Sequence, residues 1–136
     1  MKLSIPIIII SLFVISCSSG EETTNLLIND IWALESIEGE NYKADLTIEQ
    51  QPLIEIHLKD ERLHGNTGCN QMDGKVFVEG NKINFSDIIT TKMFCAGSVE
   101  QKFLSVLGKV NNYKIEKMRL FLYEDTIEKL VFKKID

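Results

Sequence analysis

The sequence of 136 residues lacks the marks of several common functional classes. Its 15 basic residues form no basic stripe and are outnumbered by 20 acidic ones, which gives a net charge of −5. Nucleic-acid binding rests on clustered Lys and Arg, so the sequence predicts no nucleic-acid partner. It has three cysteines and two histidines, and no Cys-x-x-Cys pair. We therefore expect no zinc site, which needs about four ligands at short spacing.

Catalytic constellations are also missing. Gly65-x-x-Gly68 lacks the Lys-Ser/Thr ending of a phosphate loop and the strand-then-helix context of a dinucleotide site, so we predict a tight turn there. His57 and His64 are predicted to lie on the surface. A thiol-dependent enzyme is a further alternative, but it needs a free Cys69 beside one of these histidines. The sequence thus predicts a protein that is not an enzyme and that has no cofactor or metal.

The longest apolar run lies at the amino terminus and is too short to span a bilayer. It covers residues 3–15 after a single positive charge at Lys2, whereas a spanning helix needs about 20 residues. This anatomy is typical of a secretory signal peptide. Val14-Ile15-Ser16-Cys17 resembles a lipobox, the signal at which lipoprotein precursors are acylated and cut. We therefore predict that residues 1–16 are a lipoprotein signal peptide and that Cys17 carries lipid.

Lipid on Cys17 would hold the mature protein on a membrane surface. Each methylene group buried in the bilayer contributes about 0.8 kcal/mol to membrane binding, and stable anchoring needs two membrane-binding signals, such as two acyl chains, rather than one. Residues 17–28 are predicted to be the lipidated cysteine and a flexible tether, because the segment starts small, polar and acidic. The alternative is an ordinary cleavable signal with a cysteine near the cut.

The expected location is the cell envelope. An aspartate after the lipidated cysteine signals retention at the inner membrane in lipoproteins of some bacteria with two membranes, and this chain has Ser18 instead. The outer membrane is therefore favoured, on its periplasmic face or at the cell surface.

Residues 29–136 are long enough for one compact domain and too few for two. Short segments alternate between apolar and polar residues and are separated by turn residues, which is the pattern of an antiparallel β protein. Glu79-Gly80-Asn81 between two such segments indicates a hairpin. The predicted strands are residues 31–37, 44–49, 53–59, 75–78, 82–85, 119–123 and 129–133.

One helix is predicted, over residues 99–111. Ser98 and Gln101 are expected to form its capping box. A doubly wound α/β fold needs a helix for each crossover and is excluded. The predicted fold class is therefore α+β and β-rich, a curled antiparallel sheet or cracked β-barrel with one packed α-helix. The apolar face of the helix comprises Val99, Phe103, Val106, Leu107 and Val110.

The cysteines are predicted to divide their roles. If Cys17 carries lipid, Cys69 and Cys95 remain as a pair in an exported protein, where a disulfide is favoured. Closing such a loop stabilises a domain by roughly 3 to 4 kcal/mol on the chain-entropy estimate. Two free buried thiols are the alternative, because a sequence does not give the geometry that a disulfide requires.

Several short motifs follow one another along the mature domain. They are Trp32-x-Leu34-x-x-Ile37-x-Gly39, Gly68-Cys69-Asn70, Gly74, Thr91-x-Met93-x-Cys95, Glu100-x-x-Phe103-x-x-x-Leu107 and Leu120-x-Leu122. In order and spacing they resemble the META domain (HslJ-like) family over nearly the whole mature domain. The resemblance implies a small β-rich domain with one helix, often carried by envelope lipoproteins, and a disulfide between Cys69 and Cys95. One departure is Val76, where the family often has Tyr two residues after the glycine that matches Gly74.

The resemblance implies no established catalytic residues. The family fold resembles that of secretin pilot lipoproteins, which hold lipid or a partner peptide in the barrel. We expect a non-enzymatic, membrane-tethered module that binds an envelope component and supports envelope assembly or stress tolerance. The alternative is a carrier of a lipid or other apolar ligand in the barrel. Trp32 and the other aromatic residues would line its cavity, although a domain of this length needs most of them for its core.

Overall fold

The computed structural model describes residues 26–42 and 51–135. The predicted signal peptide, Cys17, most of the predicted tether and the predicted strand over residues 44–49 lie outside these ranges. No helix within them is long and apolar enough to cross a bilayer.

The described residues form nine strands, one α-helix and a short 3-10 helix, Leu58–Asp60. The α-helix, α1, is Glu100–Leu107. The strands are β1 Ile31–Ile37, β2 Glu40–Asn41, β3 Leu53–His57, β4 Arg62–Asn66, β5 Gln71–Glu79, β6 Lys82–Thr90, β7 Asn112–Glu116, β8 Arg119–Glu124 and β9 Ile127–Ile135.

The strands form one antiparallel sheet that closes on itself. Each strand from β3 to β8 pairs with the next along the chain, and β1 pairs with both β3 and β9. Apart from the short β2, eight strands therefore make a barrel. One seam is weak, because β6 and β7 pair only at Lys82 opposite Asn112. The fold prediction of a β-rich barrel with one helix is confirmed.

The barrel interior is filled with apolar side chains. Trp32, Phe103 and Phe132 are fully buried in one cluster, and the rings of Phe103 and Phe132 meet edge to face with centroids 6.2 Å apart. Phe103 comes from α1, so the helix packs into the barrel by the apolar face that the sequence predicted. The large aromatic residues named here thus form the core, which is the interpretation that the sequence favoured over a ligand cavity.

Two barrel strands, β4 and β7, and the short β2 were not predicted. The sequence placed Gly65 in a tight turn, but it lies within β4, opposite Ile54. A Cβ atom at this position would collide with the carbonyl oxygen of Leu53. Glycine therefore lets β3 and β4 approach, and its missing side chain hides the alternation that marks a strand. The turn prediction for Gly65 is wrong.

The helix prediction needs two corrections. Helix α1 ends at Leu107, before the predicted residue 111. The capping box also does not form, because the hydroxyl of Ser98 accepts a hydrogen bond from the backbone N–H of Glu100 rather than from that of Gln101. Elsewhere β3 ends at His57, two residues early, because the 3-10 helix follows directly.

Antiparallel strands place successive connections at alternate ends of the barrel. We call the end at which residues 26–30 lead into β1 the entry end. It also carries the turns at residues 58–61 and 117–118. The opposite, far end carries residues 67–70, the connection from β6 to α1, and the turn at residues 125–126.

Candidate functional site

A disulfide joins two loops at the far end. Cys69 lies in the turn between β4 and β5, where Gly68 has φ +88°, a conformation that favours glycine. Cys95 lies in the segment between β6 and α1. The two residues are bonded, with their Cα atoms 5.8 Å apart. The predicted pairing is confirmed, and we call residues 91–98 the clasped loop.

Asn70 provides a second attachment for the clasped loop. Its side chain is 1% exposed, and its Oδ1 accepts hydrogen bonds from the Thr91 hydroxyl at 2.8 Å and the Met93 N–H at 2.7 Å. Its Nδ2 donates to the Met93 carbonyl at 3.1 Å and to the Glu100 carboxylate at 2.9 Å. One amide therefore fixes the backbone of the clasped loop and the start of α1.

Thr67 completes this polar cluster. Its hydroxyl donates to the Glu100 carboxylate and accepts from the backbone N–H of Asn70 at 2.9 Å. Among the described residues, each fully buried side-chain N or O atom has a hydrogen-bond partner. The polar groups of the cluster therefore satisfy one another, which is the arrangement of a structural clasp.

The clasped loop holds apolar side chains in solvent. Phe94 is 93% exposed and Met93 is 63% exposed, and Ile89, at the end of β6, is exposed as well. Burying a side chain of this size is worth about 1.5–3 kcal/mol. Exposed apolar groups that lie together commonly mark interaction sites. The rigid, apolar tip of the clasped loop is therefore the candidate functional site.

The predicted surface histidines lie elsewhere, on the outer wall of the barrel. His57 contacts Glu55 at 2.7 Å, and His64 contacts Asp73 at 3.0 Å. A hydrogen bond from Arg62, followed in importance by one from His64, holds the pKa of Asp73 below its ordinary value.

The cysteine of the alternative thiol-dependent site, Cys69, is part of the disulfide, so such a site would lack its free thiol nucleophile. No metal-holding group of three or more His, Cys, Asp or Glu occurs in residues 26–42 and 51–135.

Comparison with known families decides the classification. The family model of the META domain matches residues 25–136. This chain belongs to the META domain family. In this META domain, parts of three family motifs meet in one cluster. They are Gly68-Cys69-Asn70, Thr91-x-Met93-x-Cys95 and Glu100, the first residue of the helix motif. They build the clasp that holds the clasped loop against α1.

Solved structures share the fold of this META domain. A protein from Burkholderia xenovorans has a TM-score of 0.66 at 20% identity, covering 96% of this chain and 99% of that one. A DUF4847 family protein from Bacteroides vulgatus has a TM-score of 0.60 at 15% identity, covering 84% and 99%. A further NMR structure has a TM-score of 0.62 at 18% identity, covering 82% and 93%. At such identities the likeness shows the fold alone. None of the curated protein sequences compared with this chain matches it.

Phe94 was missed by reasoning from the sequence, because it occupies a variable position of the motif Thr91-x-Met93-x-Cys95. The sequence nevertheless contains a feature from which the exposure of Phe94 could have been predicted. Phe94 lies beside a motif cysteine, outside any alternating or helical apolar pattern that would bury it. An aromatic residue next to a cross-link and without a predicted core position is a candidate for display on the surface.

Proposed function

We propose that this protein is a lipid-anchored module of the bacterial envelope whose clasped loop binds another envelope component. The exposure of Phe94 is the observation that carries the proposal. Aromatic residues are enriched among the anchors of protein interfaces. The disulfide and Asn70 already hold the loop in place, so binding loses less conformational entropy than it would with a free loop.

The proposed anchor rests on the lipobox at Cys17. The strand topology indicates which end of the barrel such an anchor would hold toward the membrane. The chain reaches β1 from the entry end, whereas the clasped loop lies at the far end. A partner of Phe94 would then meet the barrel on the side away from the anchor. This separation supports the proposal that Phe94 binds an envelope component while lipid on Cys17 binds the membrane.

Photo-crosslinking in intact envelopes tests the binding site. A benzophenone amino acid at position 94 should form a discrete adduct with one envelope component, and Phe94→Ser should abolish co-purification of that component. Phe77 is the control position, since it is an exposed Phe on the outer barrel wall. Equal adducts from positions 94 and 77, or co-purification that survives Phe94→Ser, would contradict the proposed site.

A separate measurement tests the anchor. The mass of the mature protein should include acyl groups at a chain beginning with Cys17, and Cys17→Ser should move the protein out of the membrane fraction. A wild-type protein without acyl mass would remove the anchor from the proposal and leave the binding site to be judged by crosslinking alone.

A further inference from the structure

The entry end of the barrel also presents apolar side chains to solvent. Leu27 is 59% exposed, and Leu26 beside it is exposed as well. Met118, in the turn between β7 and β8 at the same end, is 58% exposed. None of these residues belongs to the clasped loop, which lies at the other end of the barrel.

These residues are held against the barrel. The neighbour of Leu27, Ile28, is fully buried, and its carbonyl accepts a hydrogen bond from Trp32 Nε1 at 2.9 Å. The carbonyl of Met118 accepts a hydrogen bond from the backbone N–H of Lys134 at 2.9 Å. Leu27 and Met118 therefore occupy fixed places in the fold and cannot turn inward without breaking these contacts.

The turn that presents Met118 has an unusual composition. Lys117 has φ +48° and Met118 has φ +61°. Two-residue hairpin turns with positive φ at both positions usually contain Asn or Gly, because other residues are strained there. A long basic and a long apolar side chain thus occupy a turn that small residues would form more easily, which suggests a role outside folding.

The length of chain before Leu26 indicates what covers this end. Nine residue steps separate the predicted lipidated Cys17 from Leu26, so their Cα atoms lie at most about 32 Å apart when the chain is fully extended. Lipid on Cys17 therefore keeps the entry end close to the bilayer. Apolar side chains with lysine beside them have the composition of a membrane-surface contact, in which Lys117 would face anionic headgroups.

We propose that the entry end rests on the lipid bilayer, with Leu26, Leu27 and Met118 at the boundary between headgroups and acyl chains. This inference rests on the lipid anchor of the proposed function. The bilayer contact fixes the direction of the barrel, which a flexible tether alone would leave free. The barrel stands with Phe94 facing away from the membrane that holds the anchor.

Depth-dependent fluorescence quenching tests this orientation in the full acylated protein. Three variants, Leu27→Cys, Met118→Cys and Ile127→Cys, each carry one bimane label in phosphatidylcholine–phosphatidylglycerol vesicles with spin-labelled lipid. Ile127 is the matched control, because it is 62% exposed and lies at the far end. The labels at 27 and 118 should be quenched several-fold more strongly than the label at 127.

Acyl mass, measured on the same samples, separates two kinds of failure. An acylated protein with weak quenching at 27 and 118, or with equal quenching at all three positions, overturns the orientation and leaves the anchor standing. A protein without acyl mass overturns the anchor and the orientation together. Strong quenching at 127 alone reverses the orientation.

Discussion

At the scale of single residues, Asn70 joins the turn after β4, in which it lies, to a stretch of chain 21 to 30 residues later. Its backbone N–H donates to the Thr67 hydroxyl within the turn, and its side chain contacts the clasped loop and the first residue of α1. An amide can do this because it carries donors and acceptors on one planar group. The sequence drew attention to Asn70 only through its place in the motif Gly68-Cys69-Asn70, since hydrogen-bond partners 21 to 30 residues away are not visible in a sequence.

Replacing Asn70 should destabilise the fold strongly. Asn70→Ala removes the partner of the Met93 N–H and one of the partners of the Glu100 carboxylate, which keeps its hydrogen bond from Thr67. Losing these contacts should cost about 2–4 kcal/mol together. Urea denaturation should show this loss in the free energy of unfolding with an unchanged m-value. Asn84→Ala, at an exposed position of β6, is the control and should change stability by less than about 0.5 kcal/mol. Equal stability of the two variants would refute the role of Asn70.

At the scale of elements, predictability followed the side-chain pattern of each strand. Strand β1 was predicted because it is a short, mostly apolar segment closed by turn residues. In the β5–β6 hairpin only residues 75–78 and 82–85 were predicted, because Gly80 marks the turn between them, and both strands extend further from that turn. Strand β4 was missed because one of its inward positions is Gly65. Strand β7 does alternate, with Tyr113 and Ile115 on one side, but it follows the helix so closely that the helical pattern concealed its start.

Removing the disulfide should weaken both the fold and the proposed binding site. The bond links residues 26 positions apart, and losing it should lower the free energy of unfolding by roughly 3–4 kcal/mol on the chain-entropy estimate. The double variant Cys69→Ser/Cys95→Ser should also give weaker crosslinking from position 94, because the clasped loop then loses its covalent attachment and keeps only hydrogen bonds.

Reductant supplies the control for that experiment. It should lower the stability of the wild type to that of the double variant and have no effect on the double variant itself. Equal unfolding free energies of wild type and double variant would show that the disulfide contributes no net stability.

At the scale of the whole molecule, barrel closure brings the first strand next to the last. Strand β1 pairs with β9, and an ion pair reaches one strand further, from Glu35 of β1 to Arg119 of β8. Two parallel hydrogen bonds of 2.6 and 2.9 Å join the guanidinium to the carboxylate. This contact spans 84 positions of the chain and reports directly on closure.

The Glu35 ion pair should make stability depend on pH. The hydrogen bond from Arg119 is the main reason that the pKa of Glu35 lies below its ordinary value. Because the folded-state pKa is depressed, the stabilisation is present above the ordinary glutamate pKa of about 4.3 and is lost as pH falls through the lower folded value.

Unfolding free energies measured between about pH 6 and pH 3 check this prediction. Wild type should lose more stability toward acid than Glu35→Gln does. Glu128→Gln, at an exposed position of β9, should follow the wild-type slope. A Glu35→Gln variant with that same slope would show that the ion pair does not contribute.

The sequence by itself determined the local and compositional features of this protein. Alternation of apolar residues indicated the strands, the spacing of Phe103 and Leu107 indicated the helix face, and the motifs placed the domain in its family. The lipid on Cys17 and the strand over residues 44–49 stay predictions. These features depend on residues that are close together in the chain, so the order of residues in the sequence is enough to predict them.

Only the tertiary structure decided where the distant parts meet. Closure of the barrel put the clasped loop and the chain entry at opposite ends, and packing left Phe94 in solvent while it buried Phe103 nine positions later. Both are phenylalanines, and their intrinsic hydrophobicity is the same. What differs is the set of contacts that the folded chain brings to each position, and those contacts come from residues far away in sequence.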